Sequence, residues 1–408
     1  MDVHQNDAED TLEIMNIRTS CDPAREQRTQ GSVLIVVMWV ALGLVTVTLY
    51  FAHSMYFEFK AAQNNYEGTQ ARHAVEGALR YAVYLLANQE ESGALPDPET
   101  YIAERGEVGE ATFWFLGRDD LNNTTTLPFF SIADEGAKLN LNLATQEMLE
   151  LLPSMPLDFA AAIVDWRDED EEASEGGGAE SDVYARLNPS RLVKNAPFDS
   201  VDELMLVHGA DPQVVYGEDA NMNGLLDPNE NDGDRTPPVD DADGILDFGL
   251  VEYLTVYGAM PQEEGQDSDS PNNDSEDQQT LMVNVNSASA AVLACLPGMD
   301  DQKAQQIVAY RNSLTGLGVD TEWVNEALEE ENFSQTEPYL TGAASHYRID
   351  VAAVGRQGKG FRRTQFVVDM TGEEPLIVHR KDLERRGWAL GQSLREQLNY
   401  DFQQQGQR

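Results

Sequence analysis

The pattern of apolar residues begins with one long uninterrupted run near the N-terminus. Residues 32–51, SVLIVVMWVALGLVTVTLYF, contain no Asp, Glu, Lys or Arg. As a helix, these 20 residues extend about 30 Å, which is enough to cross the hydrocarbon core of a bilayer. The run therefore predicts a membrane-spanning helix.

The apolar run continues without a break into an amphipathic stretch. Apolar residues recur there at helical spacing, and no proline occurs between Ser32 and Pro96. The recurring positions are Ala71, Ala74, Val75, Ala78, Leu79, Ala82, Leu85 and Leu86. The sequence thus predicts one long helix whose second half packs on a globular domain.

The residues on either side of the apolar run distinguish between three kinds of N-terminal segment. A signal peptide has a shorter apolar region and a small-residue cleavage site after it, which YFAHSMYFEF lacks. A plain membrane anchor is the second interpretation. We favour the third, a leader cut between Gly31 and Ser32 with the helix retained, because Gly31 directly precedes the run. Residues 1–14 carry five acids and no Lys or Arg, so we expect the true start at Met15.

Two stretches of the chain are copies of one unit. The run LNLNLATQEMLELLPSMPLDFAAAIVDWRD from Leu139 aligns without gaps with VNVNSASAAVLACLPGMDDQKAQQIVAYRN from Val283, at an offset of 144 residues. Each copy is typical of a helix-hairpin-helix, with a short strand, a helix, a turn and a second helix. Matched pairs are Asn140 with Asn284, Asn142 with Asn286, Pro153 with Pro297, Met155 with Met299 and Arg167 with Arg311.

Helix-hairpin-helix units can bind DNA through hairpin N–H groups and neighbouring cations. Here Ser154 replaces the first hairpin glycine, and Asp300 and Asp301 lie in the second turn. The formal net charge of −45 repels phosphate. We therefore favour a helical packing unit, with a DNA-uptake or competence protein as the alternative.

An acidic stretch between the copies matches a calcium-binding loop. Its side chains occupy positions 1, 3, 5, 9 and 12 of an EF-hand-type loop, with Gly224 at the sharp turn and the Leu225 carbonyl at position 7. The oxygen-bearing residues are Asp219, Asn221, Asn223, Asp227 and Glu230. Because calcium takes six to eight oxygens, this loop is the predicted metal site.

Three further polar runs carry weaker signals. Asp241, Asp243 and Asp247 form a possible second metal site, although Val239 and Leu250 stand at its first and last positions. The acidic run 165–182 is interpreted as a solvated loop rather than a ligand cluster. The run 261–280 has almost no apolar residue and predicts a disordered linker.

Short apolar runs before and after the helical part predict strands. Strands are expected at 111–117, 128–135, 347–355, 363–370 and 375–380. The layout predicts an α+β protein in which a helical domain is inserted into one α/β unit. The turn GRQGKG at Gly355 joins two strands and carries a basic patch of Arg356, Lys359, Arg362 and Arg363. No catalytic motif is present, so we predict no enzyme.

Together these features resemble the minor pseudopilin K family of bacterial type II secretion systems (general secretion pathway protein K) over nearly the full length. The residues that carry the resemblance are the retained helix after Gly31, LNLNLA with WRD, NAPFDSVDELMLV (195–207), EYLTVYG (252–258) and VNVNSASAAVLACLPGM. The resemblance implies a pseudopilin fold, a long N-terminal helix on an antiparallel sheet, with an inserted calcium-binding helical domain.

The resemblance also implies an order of segments along the chain. We expect a leader at 1–31, a transmembrane segment at 32–51, the remaining helix and first strands at 52–135, the inserted domain at 136–345, the last strands at 346–390 and a flexible tail at 391–408. It implies a single-pass inner-membrane protein with its bulk in the periplasm. A membrane-anchored calcium-binding scaffold unrelated to secretion is a further alternative.

The implied role is at the tip of the pseudopilus. The expected partners are minor pseudopilins I and J, the major pseudopilin, the prepilin peptidase and the inner-membrane secretion platform, and no nucleic acid. Most pilins carry Glu as the fifth mature residue, where it pairs with the N-terminal ammonium of a neighbour. Here that residue is Val36. Because a buried carboxylate needs such a partner, Val36 suits a subunit with no neighbour above it.

Overall fold

The computed structural model describes residues 30–118, 124–258, 281–314, 316–328, 333–372 and 374–405. The expected leader lies almost entirely outside these residues, and the expected linker 261–280 lies wholly outside them. The chain divides into two compact units, residues 1–61 and 62–408.

The described residues form helices of very different lengths. They are α1 (Gln30–Ala87), α2 (Gln146–Glu150), α3 (Leu157–Arg167), α4 (Ser181–Ala185), α5 (Pro212–Tyr216), α6 (Leu250–Tyr253), α7 (Ala290–Ala294), α8 (Asp301–Arg311), α9 (Trp323–Leu328), α10 (Phe333–Thr336) and α11 (Gly391–Gln405).

The strands form one large sheet and two small ones. They are β1 (Gly106–Val108), β2 (Ala111–Phe115), β3 (Ala133–Asp134), β4 (Leu139–Asn140), β5 (Leu254–Thr255), β6 (Val283–Asn284), β7 (Leu340–Thr341), β8 (His346–Val354), β9 (Arg362–Asp369) and β10 (Leu376–Asp382). The large sheet is antiparallel, with the order β1-β2-β8-β9-β10, and β3 also pairs with β8. The pairs β4–β5 and β6–β7 are parallel.

The first unit contains the apolar part of α1. Within the helical stretch from Val33, a window of 18 residues has a mean hydropathy of 2.5, and none of its residues is buried. A helix that is apolar on every side requires an apolar surrounding. By length and composition, the helix is therefore able to cross a membrane, as the sequence predicted.

In the second unit, the large sheet is covered by helices on both faces. Phe113 and Phe115 of β2 belong to a core cluster with the later part of α1. Trp114, between them, belongs to a separate cluster with Leu394 and Leu398 of α11. This division follows from strand geometry, because successive side chains point to opposite faces.

The predicted flexible tail is wrong for the described residues. Residues 391–405 form α11, and its Leu394 and Leu398 are buried against the sheet. The sequence already indicated that both faces of the sheet are buried. The stretch ATFWFLG is apolar at nearly every position rather than at alternate ones, as expected of a strand buried on both faces.

The helical domain is inserted between β3 and β8, which are hydrogen-bonded neighbours. Ala133 pairs with Arg348 and Asp134 with Tyr347, so the two ends of the insertion meet in the sheet. Residues of both repeats, from Leu139 to Leu340, share one core cluster. The two copies therefore form one domain.

Helix α1 approaches the turn between β8 and β9 so closely that only glycine fits. A Cβ added at Gly360, where φ is +68°, would lie 2.3 Å from the backbone nitrogen of Gly68. A Cβ at Gly355 would lie 2.7 Å from the carbonyl oxygen of Glu67. The glycines of GRQGKG thus place the sheet against the helix.

We predict that Gly360→Ala destabilises the protein by about 2–4 kcal/mol, because backbone strain and a backbone clash add together. Gly109→Ala is the matched control, since Gly109 has a φ of +64° but no atom within 4 Å of the added Cβ. The Gly109→Ala substitution should lower the free energy of unfolding only by the backbone strain, roughly 1–2 kcal/mol. Denaturant unfolding measures both, and equal losses would contradict the proposed close contact.

Candidate functional site

Buried charges fasten the inserted domain to the sheet. Arg118, after β2, places its Nε 3.0 Å from Oε1 of Glu252 on α6. Arg348 of β8 places its Nε 3.7 Å from Oε1 of Glu135 and its second terminal nitrogen 3.7 Å from Glu252. Lys138 donates to the Val251 carbonyl at 2.9 Å. The contacts of Arg118 and Arg348 join the sheet region to the insertion, and the contact of Lys138 lies within the insertion.

The carboxylate of Glu252 is the centre of this network. Burial alone would raise its pKa, but Arg118, Lys138 and Arg348 outweigh burial and lower the pKa to about 2. Glu252 is therefore ionised at neutral pH. Removing either side of such a buried network leaves an uncompensated charge, which is strongly destabilising.

The two repeats use equivalent contacts. Arg167 donates to the carbonyls of Leu141 and Ala144. Arg311 donates to the carbonyls of Val285 and Ala288, at 2.9 and 2.7 Å. These partners match one another at the offset of 144 residues seen in the sequence. The arginines therefore anchor the start of each copy, and they are internal structural residues.

The structure extends the duplication beyond the aligned runs. The strand Leu254–Thr255 pairs with the start of the first copy, and Leu340–Thr341 pairs in the same way with the second. Both strands belong to the sequence Tyr-Leu-Thr. This closing strand was not among the predicted strands, although the tripeptide YLT occurs at both places in the sequence.

The hairpins do not offer cations to a phosphate. The Nζ of Lys303 donates to the Gly298 carbonyl at 2.7 Å, and Arg311 is buried against backbone carbonyls. The first copy contains no Lys or Arg between Leu139 and Trp166. The DNA-binding alternative is therefore not favoured.

The predicted calcium loop folds as a compact turn. The two carboxylate oxygens of Asp219 accept the N–H groups of Asn223 and Gly224, at 2.9 and 2.7 Å. The side-chain nitrogens of Asn221 and Asn223 donate to Asp227 at 2.7 and 3.0 Å. The structure thus brings these predicted residues together. The N–H of Leu225 bonds the Asn223 side-chain oxygen at 2.8 Å.

Glu230 closes the loop from its other end. Its carboxylate accepts the N–H groups of Ala220 and Asp227, at 3.0 and 3.1 Å. Burial, followed by the charge of Asp219, raises its pKa to about 8. The buried Oδ1 of Asn221 has no hydrogen-bond partner. An unpaired oxygen beside crowded carboxylates fits an oxygen-ligated cation.

Arginines from the sheet hold the backbone of this loop. Arg363 of β9 pairs with Asp350 at 2.6 Å and donates to the carbonyls of Asn221 and Met222. Arg118 also donates to the Met222 carbonyl, at 2.7 Å. The predicted basic patch at the turn after Gly355 included Arg363, and for this residue the prediction is wrong. Its side chain is fully buried, because β9 alternation turns it toward the inserted domain.

The remaining arginines of the expected patch are paired. Arg356 lies 3.1 Å from Glu110, and Arg362 lies 3.1 Å from Glu384. Exposed pairs of this kind contribute little to stability.

The possible second site has a different organisation. Asp241, Asp243 and Asp247 are exposed. Asp241 and Asp243 each accept a backbone N–H two residues on, at 3.0 and 2.7 Å. Glu218 and Asp240, which sequence analysis did not name, are the buried acids that organise this turn.

The acidic run after α3 is a largely exposed loop, as predicted, but several of its acids lie close together. One ligand oxygen from each of Asp168, Asp170 and Glu180 lies within 4.8 Å of the others. Glu180 is 4% exposed, and both of its carboxylate oxygens lack a hydrogen-bond partner. Unpartnered buried oxygens also occur on Asp165, Asp168 and Asn195. We call Asp168, Asp170 and Glu180 the acidic triad.

The electrostatics of the acidic triad favour a cation. Burial, then the charges of Asp165 and Asp168, raise the pKa of Glu180 to about 7. Burial also raises the pKa of Asp168. The adjacent guanidinium of Arg167 is engaged by carbonyls of the first repeat. Calcium binds carboxylate and amide oxygens, so this donor set fits it. Sequence spacing missed the triad because Glu180 follows a glycine triplet that folds the loop back.

The residues of the predicted cleavage site and the predicted tip-specific residue lie in the first turns of α1. Gly31 and Ser32 belong to the described helix by backbone. The side chain of Val36 is 59% exposed. Cleavage between Gly31 and Ser32 stays a prediction.

The fold and these sites define a class of protein. A long N-terminal helix, an antiparallel sheet and a helical domain inserted between paired strands are together typical of a pseudopilin fold with an additional domain. Residues 127–216 match the family model "Type II secretion system (T2SS), protein K". The match confirms, for residues 127–216, the resemblance seen in the sequence. Residues 278–318 match the helix-hairpin-helix motif family, which covers the second repeat.

The chain is also similar to chains of solved structures. The chain is similar to a chain of the GspK-GspI-GspJ complex from the enterotoxigenic Escherichia coli type 2 secretion system, with 11% identity and a TM-score of 0.48. The similarity covers 80% of this chain and 99% of that one. No curated protein matches the chain.

We predict that the protein in chelator melts at a lower temperature at pH 8 than at pH 5.5. Folding raises the pKa of Glu180 to about 7 and that of Glu230 to about 8, so the folded state binds protons that the unfolded state has released. The resulting stability is complete below the unfolded pKa and is lost as pH rises through the folded values.

Thermal melts of Glu180→Gln and Glu230→Gln in chelator test this, and each should reduce the pH dependence by a few degrees. Glu172→Gln, at an exposed position of the same loop, is the control and should leave the dependence unchanged. A wild-type melting temperature that is constant across this pH range would refute the prediction.

Proposed function

We propose that this protein is a minor pseudopilin of a type II secretion system, anchored in the bacterial inner membrane with its bulk in the periplasm. The observation that carries the proposal is the protein K domain at residues 127–216. The apolar helix from Val33 supports a single-pass anchor. The proposed maturation step is prepilin peptidase cleavage between Gly31 and Ser32.

The proposed position is the tip of the pseudopilus, where the protein starts assembly and supports export. Two features support it. Val36 removes the carboxylate that an internal subunit uses to bind a neighbour's ammonium. The insertion between β3 and β8 adds a domain with its own core, and such bulk does not suit a regularly stacked subunit.

The proposed partners are minor pseudopilins I and J, the major pseudopilin and the inner-membrane platform. The enterotoxigenic Escherichia coli structure is of GspK in complex with GspI and GspJ, which names the two proteins to test first. The absence of a recognisable catalytic motif supports a structural rather than enzymatic role.

We predict that the full chain, purified in detergent, forms an equimolar complex with minor pseudopilins I and J. In cells, Val36→Glu should impair pseudopilus initiation, because an unpaired carboxylate within the membrane costs about 2.5–3.5 kcal/mol. Val36→Leu is the matched control and should behave as wild type. Immunogold labelling distributed along whole pseudopili, rather than at one end, would overturn the tip assignment.

We further propose that calcium binds the acidic triad and the loop from Asp219 to Glu230. The unpartnered oxygens of Glu180 and Asn221 support the two positions. In each case the ion would offset repulsion between acids that are close in the fold. An ion at the acidic triad would link its loop to the domain core, since the neighbouring Asp165 belongs to α3. An ion in the loop from Asp219 to Glu230 would do the same for that loop, whose backbone Arg363 holds.

We predict that calcium at a hundredfold excess over its dissociation constant stabilises the protein by about 2.7 kcal/mol per site, a rise of roughly 4 °C in the melting temperature of a unit of this size. Calorimetry and melts on full-length protein measure this. Glu180→Gln should remove the contribution of the acidic triad and Glu230→Gln that of the second loop, while the control Glu172→Gln keeps both. Identical wild-type melts with calcium and with chelator would end the metal proposal.

A further inference from the structure

The hairpin of the first repeat exposes apolar side chains that its counterpart does not. Leu151 ends α2 and Leu157 begins α3, and each is 60% exposed. At the equivalent positions, the second repeat has Cys295, which is 1% exposed, and Asp301, which is polar. We call Leu151, Pro153, Ser154 and Leu157 the first hairpin surface.

The difference does not come from the backbone. Ser154 has a φ of +58° and Gly298, its counterpart, a φ of +81°, so both turns use the left-handed region. Both copies also keep the same arginine anchor. The two hairpins are one scaffold with different surfaces.

A segment of the chain itself covers the second hairpin. The hydroxyl of Thr336, at the end of α10, donates to the Pro297 carbonyl at 2.8 Å, and Thr336 is fully buried. A Cβ at Gly298 would lie 3.1 Å from Cβ of Gln335. This contact shows what a hairpin of this shape accepts, which is a short helix whose end carries a hydroxyl donor.

The first hairpin surface has an acidic border. Glu147 and Asp158 are exposed on either side of it, and this copy contains no Lys or Arg from Leu139 to Trp166. Gly177 packs against Asp158, since a Cβ there would lie 2.9 Å from Cβ of Asp158. The nearby loop thus lies beside the surface and leaves both leucines exposed. Apolar residues within an acidic border are complementary to a basic amphipathic helix.

We propose that the first hairpin surface is a docking site for a basic amphipathic helix of another polypeptide. Its apolar side chains pack on Leu151 and Leu157, and its cations face Glu147 and Asp158. A hydroxyl near its end reaches the Pro153 carbonyl, as Thr336 reaches Pro297 within the chain.

The test uses full-length protein in detergent and a labelled synthetic helix with leucines on one face, lysines on the other and a threonine near its end. Fluorescence anisotropy at about 0.15 M salt compares it with a scrambled peptide of equal composition. Wild-type protein should bind the amphipathic peptide about tenfold more tightly. Leu151→Asp with Leu157→Asp should abolish that preference.

The matched control is Leu376→Asp, on β10, where the leucine is also 60% exposed. It should keep the preference, since it adds the same charge elsewhere. If the Asp pair lowers the melting temperature, Leu151→Ser with Leu157→Ser gives the same test without added charge. Equal binding of both peptides, unchanged preference in the Ser pair, or preferential binding of duplex DNA would each overturn the proposal.

Discussion

The structure depends on a buried set of charges at the junction between the sheet and the inserted domain. Arg118 and Arg348 belong to the sheet side, and Glu252 and Glu135 to the insertion. None of these groups is stable when buried alone, so the two parts must meet for either charge set to be compensated. The pairing of β3 with β8 brings the ends of the insertion together, and the charges then fix its orientation. The inserted domain is thereby attached to the sheet at both of its ends and by these charges.

The same junction connects to the acidic loops. Arg363 and Arg118 donate to the backbone of the loop from Asp219 to Glu230, so the sheet positions the carbonyls while the loop's own acids converge inside. A chain with a net charge of −45 gathers several of its acids into buried sites. Protons or a cation must then offset their repulsion. Loop order and domain docking are therefore coupled through shared residues.

The duplicated unit shows how one scaffold acquires separate uses. Both copies keep the arginine anchor, the left-handed turn and the closing strand. The second copy covers its hairpin with α10, whereas the first leaves two leucines exposed. Duplication supplied two stable helix pairs, and substitutions at the turn changed what each pair contacts.

The sequence by itself determined the features that repeat or are regularly spaced along the chain. Helical spacing identified α1, the constant offset identified the repeats, and position-by-position spacing identified the loop from Asp219 to Glu230. These patterns are local, because periodicity and turn chemistry act over a few residues. Short apolar runs likewise predicted most strands of the large sheet.

Only the tertiary structure decided contacts between distant segments. It turned the expected tail into α11, because the second face of the sheet required a cover. It buried Arg363 and brought Glu180 to Asp168 across a glycine-rich loop. Burial and charge compensation depend on which elements pack together, and no local pattern specifies that pairing. For this reason the helix and repeats were readable in the sequence, while the acidic triad and the charged junction were visible only in the fold.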